Sequence, residues 1–188
     1  MPSLMKWDEL EILTEDAKRF VQEARQKKPS EKAIKGFCDY MEFVLCLIYD
    51  YGWKDAEQIV GIVPFKDGLD DKAVNLEIKG ETFRQRMEEQ IAELSEDGVQ
   101  RIIETEAHRD YNTGVYDAAK QSGKPGIQKQ WHTMMDGRVR ETHDYLEGMT
   151  VGIDDRFYTF DGDSALAPGG FTNPDNNVRC RCWITLTK

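Results

Sequence analysis

The sequence predicts an α+β protein: an N-terminal helical hairpin, further long helices, then a small antiparallel sheet with a short packed helix. Three observations carry this. Through the first two thirds of the chain, apolar residues recur at spacings of three and four, the helical period. From Ile127 onward the period shifts towards two, and Gly, Pro, Asn and Asp become dense. At 188 residues, with 39% apolar and 10% aromatic side chains, the chain has material for one real core. The expected organisation is a helical N-terminal region over residues 1–70 and a second module over 71–188.

Each element has its own signal. Leu10, Leu13, Ala17, Phe20, Val21 and Ala24 lie on one face of a helix from about Trp7 to Lys27. Pro29 breaks it, and Ser30 is a natural N-cap for the next. There Ile34, Phe37, Cys38, Met41, Leu45 and Ile48 form a wide stripe that ends near Gly52. The two helices are expected to bury their stripes against each other. Gly61, Pro64, Gly68 and Gly80 surround a loop or short strand at Lys72 to Lys79. Phe83, Met87, Ile91 and Leu94 share a helical face. A third long helix, Glu96 to Lys120, carries Val99, Ile102, Ile103, Ala107, Tyr111, Val115 and Ala118, with Gly98 and Gly114 as local weak points.

Around Trp131, Gln128, Gln130 and His132 alternate with Ile127 and Lys129, which predicts a strand. Asp136 is a natural cap for a short helix to Glu147, stopped by Gly148. Thr150 to Ile153 and Phe157 to Phe160 read as short strands, and 161–177 as a long ordered loop. Arg179 to Thr187 closes the chain as an alternating strand.

Composition excludes several classes. The net charge of −10 argues against non-specific coating of nucleic acid. The charge is uneven: the first 123 residues carry −9 and the remainder −1. No apolar run is long enough for a bilayer-spanning helix, and no basic-then-apolar N-terminus signals export. The four cysteines are therefore expected as reduced thiols, with Cys38 and Cys46 filling the helical core.

The chemistry-bearing residues lie near the C-terminus. Alternation places Cys180, Cys182, Ile184 and Leu186 on a buried face, and Arg179, Arg181, Trp183 and Thr185 on the other. Val139, His143 and Leu146 share the inward face of the short helix. His143, Cys180 and Cys182 are thus metal-ligand candidates for zinc, with an aspartate or water as fourth ligand. The competing reading is two small buried thiols beside a hydrogen-bonded core histidine. Arg138, Arg140, Arg179 and Arg181, with Trp183, form the one concentrated positive patch, fit for an acidic partner or a phosphate backbone. The alternative is internal pairing with Asp144, Glu147, Asp154 and Asp155, including an Arg140–Asp144 pair at helical spacing. Glu104, Glu106, His108, Arg109 and Asp110 read as a solvated helix face. No phosphate loop, nucleophile elbow or zinc-protease helix is present.

The order of these features resembles a known family. Thr105-Glu106 lies in a helix leading to Tyr116, Ala118, Ala119 and Gly123. Lys129 and Trp131 follow, then Asp136, Arg138, Val139, Arg140 and His143, then Leu146, Glu147 and Gly148. Pro168 and Gly169 precede a closing Arg179-Cys180-Arg181-Cys182. This resembles the C-terminal module of the phage Mu F-like head morphogenesis (minor head) proteins, over about residues 80–188. Arg179 stands where the family commonly has Asn, and Asn177 lies two residues earlier. The stretch before residue 70 carries no motif of the family. Larger members carry toxin-like domains after this module, and none is expected in the six residues that follow Cys182.

The resemblance implies a low-copy capsid component of a phage or prophage, in the capsid interior of the virion and in the bacterial cytoplasm during assembly. It implies portal and major capsid protein as partners, phage DNA as a further one, and neither a membrane nor a small-molecule substrate. It assigns Trp131, Glu106 and His143 to the structural core of the module and makes a non-enzymatic protein the leading expectation. The rival expectation is a small metal-assisted hydrolase or nuclease using His143 and Glu106. A third is a zinc-stabilised binding module.

Overall fold

The computed structural model describes residues 8–65, 75, 77, 80–91, 93 and 95–188. The protein is α+β. The helices are α1 (Asp8–Gln26), α2 (Glu31–Val60), α3 (Phe83–Gln90) and α4 (Glu96–Ser122). The C-terminal part holds β1 (Gln128–His132), α5 (Glu141–Asp144), β2 (Thr150–Gly152), β3 (Phe157–Tyr158), β4 (Ser164–Ala165), α6 (Pro174–Asn177) and β5 (Trp183–Thr187). Most of the segment Lys72 to Lys79, and Leu94, lie outside the described residues.

The long helices start where side chains satisfy their free N–H groups. The hydroxyls of Ser30, Thr82 and Ser95 accept from the amides of Ala33, Gln85 and Gly98. Gln85 completes a capping box by accepting the Thr82 amide at 2.8 Å. Gly123, left-handed at φ 61°, closes α4.

Helix α4 is the centre of the molecule. Helix α2 packs along it, α1 packs on it rather than chiefly on α2, and β5 lies against both α4 and α2. The expected hairpin is present, but its helices bury more of their stripes on α4 than on each other. One contact between α1 and α2 is a stack of Phe20 on Phe37, with ring centroids 4.4 Å apart. Helix α2 also continues past Gly52 to Val60. The glycine does not end the helix but lets it approach α4. A Cβ at Gly52 would collide with the Tyr111 carbonyl, and one at Gly114 with the Tyr49 carbonyl. The two backbones touch at a paired-glycine crossing. Burial continues through Trp53, Ala56 and Val60.

The sheet has the order β2-β1-β5, both pairings antiparallel. Trp131 is opposite Ile184, and Lys129 lies between Val151 and Leu186. Lys129 is fully buried. Its ammonium donates to the Ile153 carbonyl at 2.8 Å and sits over the Tyr116 and Phe157 rings. Burial pushes its pKa down to about 8.

The remaining strands and turns depart from the expected boundaries. The run Phe157 to Phe160 narrows to β3, which pairs with β4 inside the stretch read as loop. That stretch is ordered by Asp163, whose carboxylate accepts the amides of Ser164, Thr172 and Asn173. The helix expected from Asp136 is only the single turn α5, preceded by Arg140. Asp136 instead closes a local turn by accepting the Arg138 amide at 3.0 Å. The closing strand begins at Trp183, not Arg179. Arg179 has φ 56°, a left-handed conformation that no strand runs through.

Candidate functional site

Three elements converge on His143. The residue is 1% exposed. It projects from α5 into a cage of aromatic rings: Phe171 stacks on it at 5.2 Å between centroids, and Trp131 meets it edge-on at 5.6 Å. Trp131 in turn packs on Phe157 at 5.0 Å. Asn177 holds Phe171 in place, accepting its amide at 3.0 Å and donating to its carbonyl at 2.6 Å.

The two sulfurs complete the cluster. Cys180 Sγ and Cys182 Sγ each lie 3.6 Å from His143 Nδ1, and both residues are buried. They do so from irregular backbone ahead of β5, because the left-handed turn at Arg179 redirects the chain. The thiols share one proton balance. The hydrogen bond from Cys182 holds the Cys180 thiol well below its usual range, with His143 adding to the effect against burial. That same bond, with burial, pushes Cys182 up. His108, near Cys180, is pushed down by burial.

The arginines sit around this cluster. Arg138, Arg140, Arg179 and Arg181 line a cavity of about 10 Å³ together with His143 and Cys182. Most are engaged internally, though not with the acids expected. Arg181 grips Asp136 through two nitrogens, at 2.9 and 2.7 Å. Arg179 pairs with Asp97 of α4 at 2.5 Å. Arg140 donates to the Val178 carbonyl, which replaces the expected pairing with Asp144. Arg138 is mostly in solvent, its side chain 82% exposed. Trp183 does not join this surface. It is buried and stacks on His132 at 5.4 Å.

The solvated face expected on the third long helix is corrected. Glu106, Arg109 and Asp110 are buried, because α4 is covered on several sides. Glu106 accepts from Arg86 at 2.8 Å and pairs with Arg109. Arg109 also reaches Asp110 at 3.3 Å. Burial is the main cause that pushes Asp110 up to about 8. Glu106 lines a separate cavity of about 280 Å³ with Arg86, Arg101, Thr105 and Asn177. His143 lines the small arginine cavity instead.

Sequence reasoning missed Asn112. Its side chain accepts the Ile184 amide at 2.9 Å and donates to the Cys182 carbonyl at 3.2 Å, tying α4 to the start of β5. The signal was its place beside Tyr111 and Val115 on a buried helix. Within the stretch read as a loop, a Cβ at Gly169 would meet the Arg109 Cβ at 2.8 Å, so the loop lies directly on α4.

The family described as phage Mu protein F like protein matches residues 72–185, more than half of the chain. An NAD(+)–arginine ADP-ribosyltransferase, EFV, of Enterococcus faecalis is 38% identical over 85 residues, 44% of this chain and 17% of that protein. Minor head protein GP7 of Bacillus phage SPP1 is 32% identical over 81 residues, 43% of this chain and 26% of that protein. The chain thus spans about a quarter or less of the length of these two relatives. No solved structure matches it.

Proposed function

The chain belongs to the phage Mu protein F like family, and from that premise we propose that it is a minor head protein that docks on the portal and the inner capsid. The observation that carries this is the match over residues 72–185, together with the likeness to a minor head protein. The surface chemistry supports a protein partner for the helical half. That half holds nearly all of the net negative charge, and it exposes Ile12 on α1 and Phe43 on α2, at 57% and 62%. Packaged DNA is the second contact, at the arginine face. Arg138 is its most exposed cation, in a loose pair with Asp136 at 3.8 Å, while Arg181 first has to leave the same carboxylate. The protein acts in the capsid interior and, during assembly, in the host cytoplasm.

The hydrolase reading lacks a common centre. Glu106 is held between two arginines and lines a different cavity from His143. General acid–base work needs both groups within reach of one substrate.

Coexpression with the portal and major capsid proteins of the same phage or prophage tests the proposal. The chain is expected to copurify with portal-containing complexes, and Phe43→Asp to weaken that recovery. A chain that stays monomeric and alone in an assembly-competent lysate overturns it. So does metal-dependent cleavage of DNA or RNA that is lost in His143→Ala.

A further inference from the structure

We propose that His143 Nδ1, Cys180 Sγ and Cys182 Sγ are three ligands of a tetrahedral zinc ion whose fourth position opens on the arginine-lined cavity.

The spacing of the donors is the first argument. Zn–S bonds of about 2.3 Å and a Zn–N bond of about 2.0–2.1 Å, meeting near the tetrahedral angle, set nitrogen and sulfur about 3.5 Å apart. Both sulfurs lie 3.6 Å from Nδ1. All three donor atoms fall within 4.8 Å of one another.

Hydrogen bonding accounts for this arrangement less well. An imidazole nitrogen has one lone pair, in the ring plane, and accepts one S–H along it. Two sulfurs at equal distance from that nitrogen cannot both use it, so hydrogen bonding leaves one of them held by the other thiol alone. A cation among the three donors is bound by all of them. Two thiolates and an imidazole are the donor set of a borderline-soft ion such as zinc.

The surroundings fit a metal centre. Phe171 and Trp131 shield the imidazole from solvent. The cavity touching His143 and Cys182 holds about 10 Å³, the room of one water-sized ligand. Its four arginines outnumber the two acids that pair with them, Asp136 and Asp97, so the surroundings favour hydroxide or a small anion over neutral water in the fourth position. Three protein ligands and one exchangeable position is the pattern of an open zinc site. The ion would also tie α5 to the segment before β5, across 37 and 39 residues of chain. Where the regular elements are only two to five residues long, that link contributes directly to folding.

The test uses the full chain purified in a non-chelating reductant. Elemental analysis should find about one zinc per chain, and cobalt substitution should give thiolate charge-transfer bands with tetrahedral ligand-field absorption. Added zinc should slow alkylation of Cys180 and Cys182 by about tenfold or more, since the bound thiolate is the reactive form withdrawn. Cys180→Ser with Cys182→Ser should abolish these signals, and Cys46→Ser on α2 should leave them unchanged. If the double variant fails to fold, the cobalt spectrum and thiol protection of the unaltered chain still decide. The proposal is overturned if reconstitution leaves under about a tenth of an ion per chain. It is equally overturned if zinc leaves the alkylation rates unchanged, if metal persists in the double variant, or if the two cysteines form a disulfide under reductant. None of these outcomes bears on portal docking, which stands or falls on copurification.

Discussion

The two halves of the molecule are held together by opposite means. In the helical half, long regular elements bury aliphatic stripes, and the tightest contact is backbone on backbone, where Gly52 and Gly114 bring α2 onto α4. In the C-terminal half the regular elements are two to five residues long. There the order comes from particular side chains: the rings around His143, the sulfurs, Asp163 in its loop, Asn112 on β5. The first half depends on what is left out at two positions. The second depends on what is put in at eight.

Four predictions sharpen or break that contrast. Trp131→Ala should have the largest effect, since removing a fully buried indole costs about 3–5 kcal/mol. Chemical denaturation measures it, and a loss below about 1 kcal/mol would mean that the rings do not organise the module. Gly114→Ala should cost about 3 kcal/mol, because a methyl group is forced onto backbone. Gly36→Ala, in the same class of helix interior but with open space around it, should gain about 0.5–1 kcal/mol. Equal effects at the two glycines would remove the crossing from the account.

The third prediction concerns pH. Burial pushes the Asp110 carboxyl up to about 8 from an ordinary 3.8, so between those values the native state holds a proton that the unfolded state has lost. Its contribution is full below about pH 4 and falls as the pH rises towards about 8. Asp110→Asn should therefore flatten the decline in melting temperature over that window. A slope identical to that of the unaltered chain would refute it.

The smallest effect is at Arg179. Its left-handed conformation is one that Asn tolerates better than most residues. Arg179→Asn should leave stability level or raise it by up to about 1 kcal/mol, once loss of the exposed pair with Asp97 is counted. Arg179→Val should lower it. The opposite order would show that the turn carries no strain.

The same contrast explains what was legible in the sequence. The periods of Leu13 to Ala24 and of Val99 to Ala118 located α1 and α4 within two residues, because a helix writes its buried face at regular intervals. The partner of each face was not written there. The α1 stripe reads the same whether it meets α2 or α4, and Gly52 looks like a stop until the second backbone is seen. Glu106, Arg109 and Asp110 were misread for a related reason. Buried ionisable groups that bond to one another have the composition of a wet surface. In the C-terminal half, the inward sulfurs and imidazole were foreseen from a strand that does not exist at Cys180 and Cys182. Alternation gave the orientation, while the left-handed turn at Arg179 supplies it. Trp183 was misplaced because His132, its partner across the β1–β5 pair, stacks on its ring.

The central position of α4 has a consequence for biosynthesis. Helices α1 and α2 leave the ribosome first, yet the surface that shields their apolar stripes is not made until residue 122 has been added. During that interval the nascent N-terminal half presents Leu13, Val21, Leu45 and Trp53 without their final cover, and it is the stage at which a chaperone has most to hold.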